Sequence, residues 1–160
     1  MSGLNPRAIA IHEAGHAVVA HRLGIPVAGI VIDGHFGQTG LQPPPAGAGR
    51  ARLERAATAA LAGSVASAIH RGASYKFNPS TEVLADETRA ADLAGFICDV
   101  TTLETNALLQ ELADSASELL NDRENWALVE RLADELLTKG CLTAPEVATI
   151  VPVSGRDNGC

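Results

Sequence analysis

The chain has 160 residues, enough for one domain with a real core and no need of disulfide support. Apolar residues make up 46 % of it but aromatics only 3 %, so the core must be built from Ala, Val, Leu and Ile, which favours closely packed helices. A net charge of -7 argues against nucleic acid or an anionic membrane surface as partner, and no apolar run is long enough to span a membrane.

Asn5-Pro6 reads as an N-cap and first-turn proline opening a helix that carries Ala8 to Leu23, stopped by Gly24-Ile25-Pro26. The β-branched run after it, closed by Asp33-Gly34, predicts a strand, with a short partner strand over Thr39–Gln42 across His35–Gln38. PPPAGAGR at 43–50 is a loop, since proline bars a helix, and its glycines do not follow a strand as a phosphate loop would. A second helix of small residues covers 51–70, and a loop follows over 71–80. Ser80 or Thr81 caps a third helix to about Phe96. Amphipathic helices follow over roughly Thr101–Leu120 and Arg123–Thr138, the second ended by Lys139-Gly140. Thr143-Ala-Pro-Glu146 has capping-box spacing and starts a last helix to Ile150. The expected fold is mainly α (α+β): one domain over 1–153 with a small β-hairpin or sheet, then a flexible tail over 154–160.

Cys98, Cys141 and Cys160 are odd in number and free of CxxC spacing, which indicates neither a disulfide framework nor a thiolate zinc site. Cys98 and Cys141 read as buried small apolar residues, and Cys160 as part of the tail. The chain does not open on a basic segment followed by an apolar run, so no signal peptide is expected and a cytoplasmic, reducing location is the default.

The chemistry concentrates in AIHEAGHAVVAH, residues 10–21. His12 and His16 are four apart, so on a helix both imidazoles reach one metal ion from one face. Glu13 is about 100° further round, where its carboxylate can take a proton from a metal-bound water without ligating. The pentapeptide alone is also compatible with ordinary surface residues. Its flanks, Ala10-Ile11 and Ala17–Ala20, are apolar and would half-bury the polar cluster, which is costly unless a metal gives it a common partner. A metzincin would need Gly at 19 and His at 22, where Val19 and Arg22 stand, and the only methionine is Met1. His21 falls about 180° from His12 and cannot join the site. A third ligand from a later helix has Glu54 and Glu82 as formal candidates.

HEAGHAVVA at 12–20 resembles the metal helix of the peptidase domain of FtsH-type AAA zinc proteases. VAGIVIDGHFGQTGLQPP, AALAGSVASAI, the segment Asp86–Ala94 and LVERLADELLTKGCLTAPEVATIV resemble later stretches of the same domain in the same order. The resemblance implies a zinc metallopeptidase with His12, His16 and Asp86 as ligands and Glu13 as general base, acting on short or unfolded polypeptides. Asp86 would sit in the first turn of the third helix, where the helix dipole also favours a carboxylate, and Glu87 and Asp92 compete for the role. The chain departs from the family in carrying no GxxxxGK[ST] loop, in reading Ala62–Ser67 where the family has a GGRAAE-type motif, and in reading Leu84-Ala85 before the aspartate. It is therefore expected to be a stand-alone peptidase without a motor. A separate ATPase partner and a homo-oligomer stay open, as does the alternative of a catalytically idle zinc-binding module.

Among the remaining residues, Ile30–Asp33 or Gly37–Leu41 could offer an unpaired strand edge to a peptide, or simply cover the core. His35 reads as a solvated turn residue, His70 as a helix-end residue, and Tyr75 and Trp126 as packing anchors. The acidic runs Glu82–Asp92 and Asp122–Glu124 read as solvated faces.

Overall fold

The computed structural model describes residues 5–78, 85–97 and 102–152. Helix α1 (Pro6–Arg22) begins where the Asn5 side chain accepts the Arg7 N–H, with proline in the first turn, where no N–H is needed. From Ala10 to Ala20 every residue of α1 except His12 is buried, which makes it a central helix rather than a surface one. Strands β1 (Val27–Asp33) and β2 (Phe36–Leu41) follow as an antiparallel hairpin. Asp33 pairs with Phe36, so the turn is only Gly34-His35, with Gly34 in the left-handed region at φ +55°. The second strand thus begins three residues before the expected Thr39. Gly37 and Gln38 carry no hydrophobic alternation, yet the backbone ladder runs through them.

Helices α2 (Arg50–His70), α3 (Ala85–Ile97), α4 (Thr102–Asn121) and α5 (Arg123–Lys139) come next. The chain then forms β3 (Cys141–Thr143) and α6 (Ala144–Ile150). The fold is mainly helical with one small three-stranded antiparallel sheet. α1 packs between α2 and α5 with β2 across it, and α2 in turn carries α3 and α4. Ala57, Ala59, Ala60, Ala62 and Ala66 are fully or almost fully buried, and such short side chains let α2 approach its neighbours closely. Trp126 packs half-buried against this core, as do Tyr75 and Phe77.

The sheet order is β2-β1-β3, with Ile30 opposite Leu142 and both buried. β3 was not expected, because three residues are too few to show a period of two. It makes β1 the central strand, so Ile30–Asp33 is no free edge, whereas β2 pairs on one side only among the described residues. Cys141 is exposed on β3 rather than buried, because Leu142 takes the inward position of that short strand. The helix ends follow their local signals. Gly140 is left-handed at φ +76° and closes α5. Thr143 and Glu146 form the capping box of α6, with Glu146 accepting the Thr143 N–H at 2.8 Å. Asp122 is exposed as expected, but it also caps α5 by accepting the Glu124 and Asn125 N–H groups. Ser80, Thr81, Glu82, Cys98, Cys160 and the tail over 154–160 lie outside the described residues. No described helix is long and apolar enough to cross a membrane.

Candidate metal centre

Helical spacing on α1 sets the His12 and His16 rings 4.9 Å apart, centre to centre, edge to face, with Nε2 to Nε2 at 3.2 Å. Asp86, in the first turn of α3, brings Oδ2 to 2.9 Å from His12 Nε2 and 3.1 Å from His16 Nε2. These three donors form the one potential metal-binding group of His, Cys, Asp and Glu among the described residues. A tetrahedral ion at about 2.0–2.1 Å from its ligands holds them about 3.3 Å apart. The observed triangle is close to that size without any rearrangement of the chain.

α2 supplies the wall behind the triangle. His16 Nδ1 donates to the Ala59 carbonyl at 2.8 Å, and His12 Nδ1 contacts Ser67 Oγ at 3.0 Å. A carbonyl can only accept, so His16 Nδ1 carries a proton and Nε2 is the ring atom turned to the centre. Between these partners lies Gly63, where a Cβ would overlap His16 Nε2 and stand 2.6 Å from His12 Nε2. The bare backbone at 63 thus leaves the space that the ligand atoms share. Two imidazoles, one carboxylate, a fixed His16 Nδ1 proton and a cradle that a methyl group would fill make a donor set that could hold a metal ion.

The same contacts set the electrostatics. Burial works against charge on His16, but the Asp86 hydrogen bond and charge outweigh it and raise its pKa above the ordinary 6.5. Burial also opposes charge on Asp86, yet the hydrogen bonds from His12 and His16 hold its carboxyl well below the usual carboxylate range. An anion fixed between two imidazoles is the electrostatic counterpart of a cation site.

Glu13 is buried beside the triangle and does not join it. Its Oε2 accepts the Thr39 hydroxyl of β2 at 2.6 Å, and the Glu13 carbonyl lies 3.0 Å from the same hydroxyl. Oε1 faces Gly37, where a Cβ would come within 2.6 Å of it. One cleft of about 340 Å³ is lined by Glu13, His16, Thr39 and Asp86, with Arg89 and Phe36 also in its wall.

The other candidates are elsewhere. Glu54 pairs with Arg50 at 2.7 Å. Glu87, expected to be solvated, is buried and accepts the Tyr75 hydroxyl at 2.8 Å, which ties the loop before α3 to that helix. Burial and then Glu87 push the Tyr75 phenol up. Asp92, His35 and His70 are exposed. His21 lies away from the centre, its pKa lowered by burial and by the Arg22 charge. Ala59, Gly63, Ser67 and Thr39 also belong to the site, although no sequence motif gives them a role in it. The first three stand at i, i+4 and i+8 on one face of α2, a spacing visible in the sequence but meaningless until α1 is known to lie against that face. Neither the protein-family models nor the curated proteins searched contain a match to the chain.

Proposed function

We propose that the chain is a zinc-dependent metallopeptidase of the FtsH-peptidase type, cleaving short or already unfolded polypeptides. The observation that carries the reading is the convergence of His12 Nε2, His16 Nε2 and Asp86 Oδ2 in a cleft also lined by Glu13, a buried acid outside that group. A purely structural site has no use for that fourth group, and it closes its last coordination position. Zinc held there would supply an acidified water and polarise the scissile carbonyl. Glu13 would take the proton and deliver it to the leaving amine. Thr39 occupies Oε2, while the missing side chain at Gly37 makes room for Oε1. The cleft runs beside β2, whose outer edge pairs with no described strand, and such an edge suits an extended chain better than a folded one.

The test combines metal analysis with one substitution. Purified protein is expected to hold about one zinc per chain. Glu13→Gln is expected to keep the zinc and lose about 10²- to 10⁴-fold in cleavage of an unstructured protein substrate. Zinc retained without cleavage by the wild type would leave a metal-holding binding module instead. Folded protein that takes up no zinc would remove both.

A further inference from the structure

A second cavity, of about 410 Å³, opens where α1 ends and α2 begins. Its walls are Leu23 and Ile25, the run Pro43–Pro45, and the side chains of Arg52 and Arg55. The prolines are rigid and carry no N–H, and Gln42 N–H is bonded to the Pro26 carbonyl at 3.1 Å, so the apolar wall is held in shape. Both arginines are exposed, three apart on α2, and neither makes an ion pair with any described residue. No acidic residue lines the cavity. In a chain of net charge -7, two guanidinium groups over one hollow, without an ion-pair partner among the described residues, are a local reversal of sign.

The cavity and the cleft of the candidate metal centre have no lining residue in common but lie one after the other along α2 and the end of β2. Leu41 lines the cleft and Gln42 the cavity, while Ala60 lines the cleft and Ala56, one turn earlier on the same face of α2, lines the cavity. At about 1.5 Å per residue, Arg55 and Arg52 lie about 12 and 16 Å along α2 from Gly63, which faces the metal ligands. An extended peptide advances about 3.3 Å per residue. Resting on the metallopeptidase reading, we infer that this cavity is an outlying subsite of the same cleft, binding an acidic side chain four or five residues from the scissile bond. Each guanidinium presents a planar fork of donors that matches a carboxylate, and the aliphatic and proline walls cover the neighbouring backbone. The substrates selected would be unfolded segments carrying isolated Asp or Glu rather than uniformly apolar ones.

The experiment uses zinc-loaded protein and a series of neutral unstructured peptides in which one Asp is stepped along either side of a fixed cleavage site. The wild type is expected to cut the peptide with Asp four or five residues from the bond about fivefold better than its neutral twin. The gain should lie in KM and fade at high salt. In Arg52→Gln/Arg55→Gln the acidic-to-neutral ratio should fall to about one, with circular dichroism reporting the fold. Cleavage with no dependence on Asp position, or a preference that survives the double substitution, overturns the subsite and leaves the peptidase standing. The same two peptides, labelled and titrated into Glu13→Gln protein by anisotropy, supply a readout independent of turnover. Tighter binding of the acidic peptide that needs both arginines supports the cavity even if no peptide is cut, whereas equal binding overturns it.

Discussion

At the residue scale the arrangement turns on side chains that support the candidate site residues rather than on those residues alone. Thr39 is the clearest case, because its hydroxyl donates to the Glu13 carboxylate. Thr39→Val keeps the shape and removes the donor. Losing a hydrogen bond to a charged group costs about 1.5–3 kcal/mol, so kcat is expected to fall about ten- to hundredfold with KM little changed. Zinc content should hold, and Thr39→Ser should restore most of the rate. A parallel rise in KM, or failure of serine to rescue, would mark Thr39 as a packing residue of β2 instead. Gly63 acts by what it lacks, since any side chain there would occupy the space between the two histidine Nε2 atoms.

At the element scale, what could be read in the sequence was what is decided locally. Asn5-Pro6, Gly140 and the Thr143–Glu146 box each specify a helix end through a few adjacent residues, and each is found where its signal lies. That gives a pH prediction for α6. The Thr143 N–H, followed by Lys139 and the Thr143 hydroxyl, lowers the Glu146 carboxyl below its ordinary 4.5. A depressed folded pKa contributes stability above the ordinary value and loses it as pH falls through the folded one. Thermal melts from pH 6 to pH 3 should therefore show the wild type losing more Tm than Glu146→Gln, with equal losses counting against the box. What stayed hidden was decided by partners distant in sequence. β3 exists because β1 offers it an open side, the start of β2 because the ladder needs no hydrophobic alternation, and the burial of Glu87 because Tyr75 reaches it. His12, Glu13 and His16 were legible from spacing within a single helix. Their supports on α2 and β2 become visible only once those elements pack on α1.

At the scale of the whole molecule the candidate centre joins α1 to α3 over the top of α2. Zinc bound only by the folded chain adds RT ln(1 + [Zn]/Kd), about 2.7 kcal/mol at a hundredfold excess over Kd. A chelator is then expected to lower Tm by roughly 5–10 °C, with recovery on adding zinc back, and a Tm indifferent to both would show that no metal is held. His12 and Asp86 are separated by 74 positions, so an ion gripping both closes a loop of nearly half the chain. In the chain-entropy treatment a covalent link across such a span is worth about 4–5 kcal/mol. Zinc here would act as a reversible clasp, doing for this chain what a disulfide does elsewhere, with its hold set by the concentration of free metal.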